Sequence, residues 1–162
     1  MFKIKLLILL LINTFLVSCT SDYKDQNNIK FDIGTIQGEY DGLVLNNLLS
    51  TYLKNFNLYS KDSIYEIQAN ISHSSNLFIT NIDNTSDRES LTSGIALKIY
   101  NKKEKCFTFS YKNEVDQFFI YASSDKFLSN QKAIEKIKQD NTEVLVKKFL
   151  NAVLDTEQVC NV

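Results

Sequence analysis

The sequence predicts an α+β fold: a two-layer sandwich of a mixed or antiparallel four-stranded sheet with two helices packed on one face, in the order β-α-β-β-β-α. Two observations carry this expectation. Short segments at 29–34, 64–74, 91–100 and 106–111 alternate apolar and polar residues, the pattern of strands with one buried face. Two longer segments, 43–56 and roughly 124–154, place apolar residues along a single stripe at helical spacing. One apolar sheet face and two single-striped helices are satisfied together when both helices cover the same face.

The chain has 162 residues, enough for one domain with a real core. It is 44% hydrophobic and 23% charged, which excludes a disordered chain. Met1–Lys5 is a short basic head, followed by Leu6–Ile12, a continuous run of Leu and Ile. This is a secretory signal, too short for a lasting membrane span. It ends in Leu16-Val17-Ser18-Cys19, which resembles the bacterial lipobox. The small Ser18 admits the peptide to a signal peptidase, and the Cys19 thiol takes a diacylglycerol. Each buried methylene contributes about 0.8 kcal/mol, so two or three acyl chains anchor far more firmly than one. The alternative is a plain signal peptide with a chance cysteine. Thr20 follows; in enteric bacteria an Asp there would hold the protein at the inner membrane, so Thr20 implies the outer one. The expected organisation is a signal peptide over 1–18, a lipidated tether over 19–28, a domain over 29–154 and a loose tail over 155–162.

Within the domain, Ile29, Phe31 and Ile33 alternate with Lys30, Asp32 and Gly34 in a short first strand. The stretch from Gly38 to Gly42 reads as a turn. The first helix follows over 43–56, with Leu45, Leu48, Leu49, Tyr52, Leu53 and Phe56 on one face and Asn55 and Asn57 at its exit. The second strand, 64–74, carries Ile67, Ala69, Ile71 and His73 in alternation. Residues 77–82 are less regular, and Asn81–Asp87 reads as a polar turn or a bulge. Ser93, Ile95, Leu97 and Ile99 alternate through the third strand, and Asn101–Lys105 is a charged hairpin loop. The fourth strand begins at Cys106 with Phe107, Phe109 and Tyr111; residues 113–121 either extend it or leave the sheet. In the last helix Ile134, Ile137, Leu145, Phe149 and Val153 form the stripe, with Asn141 a polar interruption. Ser124 and Asp125 are candidate caps.

Chemistry is sparse. Removal of Lys3 and Lys5 leaves 16 of the 18 basic residues against 19 acidic ones, so nothing draws the mature chain as a whole to nucleic acid. There is one His, His73, and a lone His at a strand end is more often structural than catalytic. The four glycines are too scattered for a phosphate loop, and three widely spaced cysteines do not make a zinc site. An enzyme is not expected, nor is a cofactor or metal. With Cys19 acylated, Cys106 and Cys160 remain; in an oxidising compartment they are a plausible disulfide, the alternative being two unpaired thiols. Arg88, the one Arg, sits just past the polar turn, and Lys126 lies in the expected first turn of the last helix against the helix dipole. Both suit an anionic ligand such as phosphate, and both also read as solvated surface charge.

The order of elements behind a lipobox resembles the LPS-assembly lipoprotein family LptE, in its alphaproteobacterial type, over roughly residues 1–154. Gly42-Leu43-Val44-Leu45-Asn46-Asn47-Leu48-Leu49 resembles the opening of that family's first helix, and Ile64-Tyr65-Glu66-Ile67 its second-strand start. Asp87-Arg88-Glu89-Ser90-Leu91 resembles its Arg-bearing turn, and Tyr121-Ala122-Ser123-Ser124 the step into its last helix. After the Cys the chain reads Thr20-Ser21-Asp22-Tyr23-Lys24-Asp25, where many members have Gly-Phe-x-Pro-Leu-Tyr. The resemblance implies an outer-membrane lipoprotein that plugs and helps assemble the LptD β-barrel, and that contacts lipopolysaccharide (LPS) in transit. It also implies that Arg88 and Lys126 meet lipid A phosphates. Phe118, Phe119 and Tyr121 are candidates for the partner-facing surface. The competing expectation is a free-standing envelope lipoprotein that binds a periplasmic ligand or cell-wall component.

Overall fold

A computed structural model describes residues 29–79, 87–121 and 127–160. The elements are β1 (Phe31–Gln37), α1 (Glu39–Asn55), β2 (Tyr65–Ile79), β3 (Asp87–Asn101), β4 (Cys106–Tyr121) and α2 (Phe127–Leu154). They form one mixed sheet in the order β1-β2-β3-β4, with β1 parallel to β2 and the remaining pairs antiparallel. The expected α+β sandwich in the order β-α-β-β-β-α is therefore the observed fold.

Alternation explains the core. Ile67, Ala69 and Ile71 of β2 pair with Ile99, Leu97 and Ile95 of β3 on one face. Leu45, Leu49 and Leu53 of α1 and Leu145, Val146, Phe149, Leu150 and Val153 of α2 close over them. Each fully buried Leu, Ile or Phe contributes roughly 1.5–3 kcal/mol relative to exposure. Among the described residues, the core cluster runs from Phe31 to Val153. The helices are also clasped to one another: the Tyr52 hydroxyl of α1 donates to Glu143 of α2 at 2.6 Å.

Several boundaries differ from expectation for physical reasons. The segment 38–42 is not a turn; α1 starts at Glu39. Gly38, at φ 126° in a conformation that an L side chain rarely adopts, turns the chain together with Glu39 at φ 48°. Gly42 is buried inside α1, where a Cβ would lie 3.2 Å from the Gln37 carbonyl carbon and oxygen. Two glycines that read as a loop are thus a hinge and a close approach of backbone to backbone. At the other end Asn57 takes φ 56°, its N–H bonds the Lys54 carbonyl, and the Leu58 N–H bonds the Leu53 carbonyl. This is the left-handed exit that Asn favours.

The strands run further than their apolar alternation. β2 continues through Ile79, β3 begins at Asp87 and β4 continues to Tyr121, in unbroken register at that end. Backbone pairing carries these non-alternating stretches, and Arg88 belongs to β3 and not to a turn. Residues 155–160, expected to be loose, fold back on β4: Thr108 donates to Gln158 at 2.9 Å, and Cys160 is paired with Cys106.

Candidate functional site

Two regions gather chemistry-bearing side chains. The first lies where the sheet's inner face meets both helices. His73 of β2 and Ser93 of β3 are directly paired across the strands. His73 Nδ1 lies 2.8 Å from Ser93 Oγ, and Asn141 Nδ2 of α2 donates to the same oxygen at 3.0 Å. On the other side of the ring, His73 Nε2 is 3.9 Å from Asp41 Oδ2 of α1, which accepts from Lys138 Nζ of α2 at 3.2 Å. A neutral ring with the proton on Nε2 fits this pattern: Nδ1 accepts from the Ser93 hydroxyl, and Nε2–H points to Asp41. Burial pushes the His73 pKa below its ordinary value; Asp41 opposes the shift and Lys138 adds to it.

Asp41, His73 and Ser93 are the residue types of a hydrolase triad, but their placement excludes that use. Ser93 is 0% exposed, and the His73 side chain is 3% exposed. No substrate carbonyl reaches the hydroxyl, and Asn141 caps it from above. The cluster fastens α1 and α2 to the sheet through polar bonds at the point where the apolar stripe of α2 is interrupted. Sequence reading named His73, Ser93 and Asn141 separately, without joining them, and missed Asp41. The available signal was that His73 and Ser93 both fall on inward positions of their strands.

The second region is the end of the sheet opposite the chain's entrance, where β2, β3 and β4 extend beyond β1. Arg88 is exposed there, paired with Phe78 on one side and Ile120 on the other. Ile120 and Phe118, both on the same outer face as Arg88, are 72% and 67% exposed, and Leu77, Phe127 and Leu128 are exposed nearby in the same end. An exposed guanidinium set among apolar side chains suits a ligand that combines negative charge with apolar surface. Phe119 turns to the opposite face and is half-buried, and Tyr121 closes β4. Lys126 and Cys19 lie outside the described residues. Cys106 and Cys160 are disulfide-bonded with their Cα atoms 5.9 Å apart, within the usual range. Glu104 lies beside this pair, and a cation held by the three groups would require the thiols to be free.

Neither a protein-family model nor a curated protein sequence matches the chain. Solved structures do. The rare lipoprotein B from Shewanella oneidensis superposes with a TM-score of 0.59 at 10% identity, covering 78% of this chain and 93% of that one. A minor lipoprotein from Acinetobacter baumannii gives 0.57 at 11% identity, covering 78% and 90%. A protein from Caulobacter crescentus gives 0.56 at 12% identity, covering 77% and 88%. At these identities the likeness establishes a shared fold.

Proposed function

We propose that this chain is an envelope lipoprotein, anchored through Cys19 in the outer membrane on its periplasmic side, that acts as plug and assembly partner of an LptD-type β-barrel and aids delivery of LPS to the cell surface. The observation that carries the reading is the combination of a lipobox with a fold shared by bacterial lipoproteins from two organisms. The order of local sequence motifs, which resembles LptE, supports the finer assignment. The domain's own features agree with it. A small sheet-and-helix body with a broad polar outer sheet face fits a wet, enclosed lumen better than a lipid-filled one.

The reading assigns no reaction. In the Asp41–His73–Ser93 constellation the hydroxyl of Ser93 is fully buried. Arg88, together with Lys126, which precedes the last helix in the sequence, would meet the phosphates of lipid A, while Ile120 and Phe118 offer apolar contact beside Arg88. Charge-assisted contact of this kind is directional and short-ranged. Depletion of the protein tests the reading: newly made LPS should accumulate short of the outer leaflet while the inner membrane stays supplied. Unchanged arrival of LPS at the surface favours the free-standing alternative, a lipoprotein binding a periplasmic ligand or cell-wall component.

A further inference from the structure

We propose that the end of the domain where the tether enters is a membrane-contact surface, seated on the phospholipid interface that holds the anchor. The proposal rests on the lipoprotein reading, with its anchor at Cys19; it gives the near end of the domain to the membrane and leaves the far end, with Arg88, to the lumen of the barrel.

Chain connectivity selects the end. The described chain begins at Ile29, and Phe31 is fastened at once to residues 58–60 by its backbone N–H and carbonyl. The same end collects the exit of α1, the β3–β4 turn and the disulfide. Lys102 N–H bonds the Ile64 carbonyl at 2.8 Å, and the Cys106–Cys160 bond brings the tail alongside β4. The ten residues from Cys19 to Asn28 reach at most about 34 Å. Strands of 15 and 16 residues span about 50 Å. With the far end resting on the membrane, the attachment point would stand beyond the tether's reach. The tether therefore permits the near end, and forbids the far tip, to sit on the membrane.

The composition of the near end fits an interface. Phe56, Ile64, Phe107 and Val159 are exposed there, with Phe56 59% and Val159 61% accessible. They lie among exposed Lys54, Lys61, Lys103 and Lys105, and Lys98 sits over the Phe107 ring at 5.2 Å. Aromatic and aliphatic knobs among lysines are what a surface uses to enter the headgroup region while its cations stay in water. Asp62, Glu104, Asp155 and Glu157 are exposed at the same end, so attraction to anionic lipid is mild and the apolar side chains carry the binding. The disulfide gives the surface its last member, because it holds Val159 next to β4.

The test uses the mature protein with Cys19→Ser, which cannot be acylated, and vesicles of phosphatidylethanolamine and phosphatidylglycerol. The parent should sediment with the vesicles. Phe56→Ser combined with Phe107→Ser should lower the partition coefficient about tenfold, the loss expected for two partly buried aromatic side chains. Val159→Ser, at an exposed position of the tail, should lower it less and in the same direction with the fold intact by circular dichroism. Phe118→Ser and Ile120→Ser at the far end should leave it unchanged. Absence of vesicle binding by the parent, or equal losses from far-end variants, overturns the proposal. Fatty-acid labelling of the unaltered protein reports the anchor separately: labelled protein whose Cys19→Ser form ignores vesicles keeps its anchor and loses this surface.

Discussion

Ser93→Ala is the sharpest probe of how the two layers are held together. The hydroxyl it removes serves two partners at once, His73 Nδ1 at 2.8 Å and the Asn141 amide at 3.0 Å. The site is 0% exposed, so water does not replace the lost oxygen without opening the fold. A buried polar group stripped of its partner costs about 1–3 kcal/mol, and two are stripped here, for about 2–6 kcal/mol in all. That is a large share of a typical total of about 5–15 kcal/mol. Urea unfolding of the mature Cys19→Ser protein, followed by circular dichroism, reads it directly. A second arm gives the result its specificity. Ser93→Ala with Asn141→Leu removes donor and acceptor together and should cost less than the sum of the single changes. A Ser93→Ala protein within about 0.5 kcal/mol of the parent would refute the view that this cluster fastens the helices to the sheet.

The same cluster makes stability pH-dependent. Burial holds the folded His73 pKa below its ordinary value, so the unfolded chain takes up the proton first as pH falls. The contribution is complete above about pH 6.5 and is lost progressively below it; the urea midpoint should drop between about pH 7 and 5, and His73→Asn should flatten that drop. Gly38→Ala should destabilise by about 2 kcal/mol or more in thermal unfolding, because a Cβ there meets Ile71 Cγ2 at 2.8 Å and the Ile71 carbonyl oxygen at 2.9 Å on a left-handed backbone. Gly42→Ala should cost less, since its 3.2 Å contact is partly offset by better helix propensity; equal effects would contradict the hinge role of Gly38. Arg88→Glu should weaken capture by immobilised LPS without altering the circular dichroism spectrum, and unchanged capture reduces Arg88 to surface charge. Cys19→Ala should accumulate as an uncleaved precursor that takes up no labelled fatty acid; a labelled variant removes the anchor from Cys19.

The element order and both helices were legible because their buried faces repeat at periods of two and 3.6. Legibility failed where the backbone and not the side chains decides. The far ends of β2, β3 and β4 do not alternate: Leu77-Phe78-Ile79 and Phe118-Phe119-Ile120-Tyr121 are continuous apolar runs and Asp87-Arg88-Glu89-Ser90 a polar one, so periodicity does not mark them as strands. They are strands because each pairs with its neighbour along its whole length. The Gly38–Gly42 segment misled for a related reason: glycine marks loops, and also places where backbones must approach. The buried cluster was visible only in fragments. His73 and Ser93 are 20 residues apart and Ser93 and Asn141 are 48 apart, and only the sheet register and the course of α2 bring them together. Arg88 stood out as the sole Arg, but its apolar neighbours Phe118 and Ile120 come from a strand more than 25 residues later.

Partnership with a barrel is the central claim, and co-purification tests it most directly. Affinity-tagged protein, extracted from membranes in mild detergent with its lipid anchor intact, should carry a large outer-membrane β-barrel in near-equal amount, identified by mass. Tagged protein that emerges alone, lipidated and folded, would contradict the plug assignment and leave a free-standing envelope lipoprotein.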